Sequence, residues 1–411
     1  MSDRVPFRKI VDFALGGGWG EASPVANSIP VAVVRGTDFS RVSAGRMDEV
    51  PRRWEIKSRA DRRLLSSGDL ILEISGGSSA KGQSTGRSLL ITPDILDALG
   101  GAVIPASFCR LVRVDTSAVL PKYASYALQD MYRSGRAAFY ENQSTGISNF
   151  QFEVFLDNEC PRLPPLHEQE AVVSILGALD DKIAVNERIA AVSLELAKAS
   201  YLSARPSEPR VIGSLAQVFD GPHATPKKVA EGPWFLSISS LQGGLLELSE
   251  SAHISEEDFP IWTRRVQPTA GDVLFSYETR LGEAALMPSD IQACLGRRMA
   301  LLRSTDPQVS GAMLLHAFLG MSFQEEIKRR TIHGATVDRI PLKELSSWSI
   351  LLPPTGILGD LSSDLRSLHQ TIEHAKGESQ TLAALRDALL PQLMSGRLRV
   401  KDAEKIVEDH V

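Results

Sequence analysis

Two long stretches of the chain carry apolar residues at spacings of three and four, and they are in register with each other. The first follows Leu163-Pro164-Pro165 and sets Val172, Leu176, Leu179 and Ile183 on one stripe. The second follows Leu352-Pro353-Pro354 and sets Leu361, Leu365, Leu368 and Ile372 at the matching positions. No gap is needed from the prolines to Leu196 and its counterpart Leu385. Such spacing keeps one helix face apolar, and a sustained stripe is of coiled-coil type. Glu168 to about Leu202 lacks proline, which predicts one helix on the order of 50 Å long at 1.5 Å per residue. Val185, Ile189, Val192 and Leu196 continue its stripe after a small phase shift. The second seam is cleaner, running from Leu358 through Ala375 to Ser379, Leu382, Leu385 and Leu389, with Pro391 and Gly396 expected to end it. Neither stripe can be covered by its own helix. A mutual antiparallel coiled coil covers both, and the chain becomes variable block, helix, variable block, helix.

The blocks read as mixed α and β. In the first, Phe7 to Phe13 predicts a short helical entry, and Gly16, Gly17, Gly18 and Gly20 break regular structure. Ile29 to Val34, Leu70 to Ile74 after Gly68-Asp69, and Phe108 to Val114 predict strands, and Pro121 to Arg136 a helix with proline in its first turn. Gln143 to Phe150 reads as loop. The second block repeats this outline: an entry helix over Val211 to Phe219, a break at Gly221 to Thr225, and a strand over Trp234 to Ile238. A Gly243-Gly244 turn follows, then Gly271-Asp272 with a buried strand matching Gly68-Asp69, and a helix over Val309 to Arg330. The expected fold class is α+β, with two α/β domains, two long helices forming an antiparallel coiled coil, and a pseudo-twofold internal repeat. The expected bounds are 1–162, 163–205, 206–351, 352–396 and a tail over 397–411.

Length and composition narrow the class. A chain of 411 residues exceeds one ordinary domain, and its 43% hydrophobic and 23% charged residues are ordinary for a soluble protein. No apolar run is long enough for a membrane span and no secretory signal is visible, so a cytoplasmic chain without a membrane partner is expected. Cys109, Cys160 and Cys294 are too scattered for a disulfide framework or a metal knuckle. The net charge of −5 hides an asymmetry. Acid gathers towards the end, at Glu373, Glu378, Asp387, Asp402, Glu404, Glu408 and Asp409. Base gathers in the blocks, at Arg52, Arg53, Lys57, Arg59, Arg62 and Arg63, and at Lys227, Lys228, Arg297 and Arg298.

Catalytic patterns fail one by one. The Gly-rich loop 76–88 lacks the Gly-Lys-Ser/Thr ending of a phosphate loop, and the glycines at 16–20 are not preceded by a predicted strand. His223, His253, His316, His333, His369 and His374 are not at ligand spacing with cysteines or carboxylates. Asp48, Glu55 and Lys57 faintly resemble an acidic-plus-lysine nuclease pattern, one that chance supplies in any charged sequence. A lone arginine is by default a solvated surface residue. Here two similar blocks on a rigid spacer favour the alternative, a pair of phosphate-binding faces whose loops read base edges at a separation the rod fixes. No cofactor is expected in the chain.

The chain resembles the DNA-specificity subunit of type I restriction–modification enzymes over essentially its whole length. The likeness is carried by Leu163-Pro164-Pro165-Leu166-His167-Glu168-Gln169, by Ile175-Leu176-Gly177-Ala178-Leu179-Asp180-Asp181-Lys182-Ile183 with Asn186, and by Leu385 to Gly396. Ser75 to Ser79 with Gly86-Arg87, and Thr145 to Phe150, are similar to segments of that family's target-recognition domains. The second helix departs from the pattern with Thr355-Gly356-Ile357-Leu358 where the first has Glu-Gln, and the blocks share little beyond punctuation. The resemblance implies two α/β target-recognition domains, each reading half of an interrupted duplex DNA site. It implies helices that hold two methyltransferase subunits, joined by nuclease-translocase subunits, with S-adenosylmethionine, ATP and magnesium on those partners and no catalysis in this chain. Loop position and chemistry then nominate Lys81, Gln83, Arg87, Gln143, Ser144 and Asn149 as DNA contacts in the first block. The second block offers Lys227, Lys228, Tyr277, Arg280, Arg297, Arg298 and His333. The helices nominate Glu168, Gln169, Leu176, Leu179, Ile183, Leu365, Leu368 and Ile372 as partner contacts. A metal-dependent nuclease and a bridging scaffold without a DNA role are the rival classes.

Overall fold

In the computed structural model, which describes residues 4–76, 84–143, 148–334 and 337–408, the chain divides into two compact units. The first is Met1–Val185 with Ser379–Val411, and the second is Asn186–Glu378. The two long helices, Leu166–Ser203 and Thr355–Ser395, each contribute one part to each unit.

The first unit is built on an antiparallel sheet ordered Val11–Gly16, Cys109–Val114, Leu70–Glu73, Ser88–Leu90. Leu70 and Leu72 face Phe7, Tyr123 and Tyr126, while Ile71 faces Val34, Phe39 and Leu111. Burial on both faces explains why this strand reads as an unbroken apolar run. A smaller sheet pairs Ser28–Val34 antiparallel with Arg52–Ile56 and parallel with Val103–Pro105. The second unit repeats both. Its main sheet is ordered Ala216–Asp220, Met299–Ser304, Val273–Ser276, Ala284–Leu286. Its smaller one pairs Val229–Phe235 antiparallel with Ala252–His253 and parallel with Ala293–Cys294.

The repetition extends to single residues. Leu70 pairs with Val112 as Val273 pairs with Leu302. Each strand is entered through a glycine with positive φ, Gly68 or Gly271, where an L side chain would be strained. The next residue, Asp69 or Asp272, is buried. Asp69 accepts from the backbone N–H of Ser66 and forms a 2.7 Å ion pair with Arg113. Asp272 accepts from Thr269 N–H and forms a 2.6 Å pair with Arg303. A buried carboxylate persists when paired and hydrogen-bonded, so the shared Gly-Asp marks one turn built twice.

The long helices run antiparallel within each unit. In the first, Arg386 bonds Asp180 at 2.9 Å, and Val172, Leu176 and Leu179 share a core with Leu382, Leu389 and Leu393. In the second, Asn186 bonds Glu378 at 2.7 Å, and Ala190 and Leu194 pack on Ile372 and Ala375. The seams are only partly mutual. Leu176 and Leu179 also pack with Tyr123 and Tyr126 of helix Pro121–Arg133, and Leu358 and Leu365 with Phe318 and Trp348.

Several local expectations are overturned. Only Phe7–Lys9 is helical at the entry, because Val11–Gly16 is drawn into the sheet beside Cys109–Val114. That strand does precede the glycines at 16–20, but a Cβ on Gly17 would run into the Ala106 carbonyl, so close backbone packing requires the glycine. The 143–150 stretch is not all loop, since Glu141–Gln143 pairs with Ser148–Phe150. The second entry helix shrinks to Ile212–Leu215 between strands. The 309–330 helix splits into Gly311–Leu319 and Met321–Arg330 at Gly320, whose backbone is extended. Helix Thr355–Ser395 runs through Pro391 to Ser395, its last turns pinned by buried Leu390, Leu393 and Met394. Residues Val400–Glu408 are a helix whose Ala403 enters the core. Val185, Ile189, Val192 and Leu196 do not continue the buried seam; all four are exposed, and Asn186, Ala190, Leu194 and Ala197 take the inner face.

Candidate nucleic-acid interface

At the end of strand Leu70–Glu73 the backbone is tied to two neighbouring segments. Ile74 N–H donates to the Phe108 carbonyl at 2.9 Å, and Ser75 pairs with Asn149 through an isolated bridge. Phe150 N–H donates to the Ile74 carbonyl at 2.8 Å, and the Ser75 hydroxyl donates to the Asn149 amide oxygen at 3.0 Å. The second unit ties the same knot with other residues. Tyr277 N–H donates to the Arg298 carbonyl at 3.1 Å, Glu278 pairs with Arg339, and Ile340 N–H donates to the Tyr277 carbonyl at 2.9 Å. The turns feeding the strands match too: Cys109 N–H bonds the Ala106 carbonyl, and Met299 N–H the Gly296 carbonyl. Strand register puts Phe108 opposite Arg298, Ser75 opposite Glu278 and Asn149 opposite Arg339 in the internal comparison.

Four of the nominated residues of the second unit meet at this place. Arg298, at positive φ, reaches Thr279 Oγ1 at 3.0 Å and Glu278 at 3.1 Å. Arg280 donates to the Ile238 carbonyl at 3.2 Å and so braces the neighbouring turn. His333 is exposed beside Asp338 at 3.1 Å. Tyr277 is buried in the core and is not a surface reader; burial pushes its phenol up, and its hydroxyl lies 3.4 Å from His223 Nδ1. Lys227, Lys228 and Arg297 are exposed. Near His223 an open cleft of about 370 Å³ is lined by Asp220, Trp262, Arg264 and Arg265, cationic and aromatic groups missed in the sequence.

In the first unit Asn149 is exposed at the knot. Arg87 is not a free cation. It grips buried Glu73 through two bonds of 2.6 and 2.8 Å, because an unpaired carboxylate there would be costly. Gln143 ends its strand. Lys81, Gln83 and Ser144 lie outside the described residues. The sequence reading missed Phe108 and Arg339. Carrying the Gly-Asp repeat through to the following strand would have set Phe108 against Arg298.

Most of the nominated partner contacts are occupied within the chain. Gln169 is fully buried; its amide oxygen accepts from Leu120 N–H at 2.9 Å and its nitrogen donates to the Ala118 and Pro164 carbonyls at 3.0 and 2.8 Å. Glu168 pairs with Arg162 at 2.7 Å. Leu176, Leu179, Leu365 and Ile372 are core residues, and Ile183 and Leu368 pack beside them. The departure at Thr355 has its own solution: Glu208 accepts from the Thr355 N–H and hydroxyl at the helix start.

The nuclease pattern does not assemble. Asp48 pairs with Arg41, Lys57 pairs with Asp61 at 2.9 Å, and Glu55 is buried and accepts from Ile56 N–H. Among the described residues there is no cluster of metal-ligating side chains and no helix long and apolar enough to cross a membrane.

A twice-built α/β domain with two long helices defines the class of fold. No family model matches the chain, and no curated protein matches it in sequence. Solved structures do match. The chain shares its fold with the S subunit of a type I restriction-modification system from M. genitalium, with a TM-score of 0.58 and 13% identity over 95% of each chain. The HsdS subunit from Thermoanaerobacter tengcongensis is 18% identical, with a TM-score of 0.35 over 96% of this chain and 97% of that one. A further chain, from a structure of complex assembly and conformational transition of the type I R-M system, is 17% identical, with a TM-score of 0.39 over 96% of this chain and 98% of that one.

Proposed function

We propose that the chain is a non-catalytic, sequence-specific DNA-binding specificity subunit of a type I restriction–modification complex. The observation that carries this reading is one scaffold built twice with different side-chain chemistry at the same place, exposed Phe108 and Asn149 in one copy and part-buried Arg298 with exposed Arg339 in the other. Two copies of one reader with different side chains suit a site with two different halves. The fold shared with a specificity subunit supports it. In this reading Asn149, Lys227, Lys228, Arg280, Arg297, Arg298 and His333 face the duplex in the cytoplasm. Lys81, Gln83 and Ser144 remain nominees on chemistry alone.

The partners in this reading are two methyltransferase subunits and nuclease-translocase subunits, which bring S-adenosylmethionine, ATP and magnesium. With Leu176, Leu179, Leu365 and Ile372 buried, the helix surface offered to a partner is the exposed stripe Val185, Ile189, Val192 and Leu196. The experiment is to map methylated adenines in DNA from cells carrying the chain with its methyltransferase. Methylation at an interrupted sequence that disappears when the chain is deleted is the expected result. Methylation independent of the chain would leave a scaffold role instead.

A further inference from the structure

Resting on that reading, we infer that Phe108 with Asn149 in the first domain, and Arg339 braced beside Arg298 in the second, are the base-reading positions, and that the first domain reads an A·T pair where Arg339 reads a guanine.

The two copies of the knot agree in some parts and differ in others. The buried parts of the knot are kept in kind: the Gly-Asp turn, its arginine partner and the apolar strand behind it. The exposed parts are not. Phe108 is 63% exposed on a tight turn whose carbonyl accepts from both Ile74 and Ser75. Folding offers no reason for a phenyl ring there, because the turn is held by its backbone. The counterpart, Arg298, is a cation. Asn149 and Arg339 are both exposed and both anchored through bridges to the preceding strand's end. A scaffold that holds two unlike sets of side chains by one set of backbone bonds has the build expected of a specificity element.

Chemistry then assigns the bases. An asparagine amide matches adenine, accepting from N6 and donating to N7, and an apolar ring packs on the thymine methyl of the same or the adjoining pair. The Ser75 hydroxyl on Asn149 Oδ1 fixes the amide's rotation and leaves its nitrogen free to donate. A guanidinium matches O6 and N7 of guanine. In the second unit Arg298 is held by Glu278 and Thr279, which leaves the exposed Arg339 as the fork presented outward.

The test is selection from a random duplex library by the full chain in complex with its methyltransferase partner, with wild type, Phe108→Ala, Asn149→Ala and Arg339→Ala side by side. Wild type should select two half-sites. Phe108→Ala and Asn149→Ala should each relax A·T preference at one or two adjoining positions of one half-site by about tenfold to a hundredfold, leaving the other half unchanged. Arg339→Ala should relax a guanine in the other half alone. A thermal unfolding curve for each variant, matching wild type, shows that the loss is not one of folding. A wild-type bipartite site with unaltered base preferences in all three variants overturns the inference while leaving the specificity-subunit reading intact. A uniform loss of affinity does the same, since it marks phosphate contacts. A wild-type complex that selects no sequence overturns both.

Discussion

His316 Nε2 lies 3.0 Å from His369 Nε2 in the core of the second unit, one ring donating and the other accepting. The counterpart contact in the first unit is Tyr126, whose hydroxyl donates to Asp180 Oδ2 at 2.6 Å. In both units, then, the domain's helix is fastened to a long helix at the same point by a polar pair. The pairs have opposite acid–base character. Burial pushes His369 down to about 4, and burial, His369 and Lys198 push His316 down to about 3. Burial and Asp180 push the Tyr126 phenol up, so it stays a donor throughout the working range.

The histidine pair makes the second unit acid-sensitive. An unfolded histidine titrates near 6.5, whereas the folded pair stays neutral until about pH 4 to 3. Between those limits the unfolded chain binds more protons, so stability is full above about pH 6.5 and falls as pH drops through the window. The slope approaches roughly 1.4 kcal/mol per pH unit for each histidine. Urea unfolding at pH 7.5 and pH 5 checks this. A His316→Leu/His369→Leu variant should lose less stability on acidification than wild type, and equal losses would sink the assignment.

Gln169 tests whether the Leu-Pro-Pro helix start is a docking motif or a joint. Its amide serves three backbone groups, at Leu120, Ala118 and Pro164. Gln169→Glu keeps the shape and one acceptor but sets a carboxylate oxygen against two carbonyls, so two buried acceptors lose their donor. A loss on the order of 2–5 kcal/mol in the chain by itself is expected. Chemical denaturation without any partner measures it, and a loss below about 0.5 kcal/mol would return Gln169 to the list of partner contacts.

The duplicated turn predicts matched effects. Asp69→Asn and Asp272→Asn each turn an amide N–H₂ or a neutral oxygen towards an arginine and a backbone N–H. Both carboxylates are buried but both arginines are part-exposed, which softens the cost to about 2–3 kcal/mol. Limited proteolysis should show cleavage confined to the first unit for Asp69→Asn and to the second for Asp272→Asn. The same cleavage sites in both variants would mean that the loss is not local to the turn that was changed.

The long helices, the Gly-Asp strands and the internal repeat were legible because each depends on a local period or a turn with a fixed backbone demand. The stripe at Val185 to Leu196 on helix Leu166–Ser203 misleads for a physical reason: the helix changes neighbours near Asn186, and small residues, Ala190 and Ala197, take the inner face against the second helix. A hydropathy stripe favours the larger side chains and so followed the outer face. The helical entry expected over Phe7 to Phe13 stops at Lys9, because nothing within it announces the strand Cys109–Val114 that captures Val11–Gly16. At the knot, the charge of Arg87 suggests a DNA contact, but its partner Glu73 lies across a strand pairing that spacing does not reveal. Phe108 leaves no mark in the sequence, because an exposed phenyl ring has no polar signature.

Val185, Ile189, Val192 and Leu196 repeat at four, three and four along one outer face, and Val192 is 61% exposed. Because water already covers them, Val192→Ser and Leu196→Ser should change the chain's own stability by no more than about 0.5 kcal/mol. If a methyltransferase subunit docks there, each loses apolar burial worth about 1.5–3 kcal/mol, so the double variant should weaken assembly more than a hundredfold. Leu176→Ala and Leu179→Ala should behave in reverse, costing about 2–5 kcal/mol of folding through cavities before any partner is present. Co-purification and sedimentation of the complex, set beside unfolding of the isolated chain, separate the two classes. Assembly that survives the serine pair undiminished would move the docking face elsewhere on the helices.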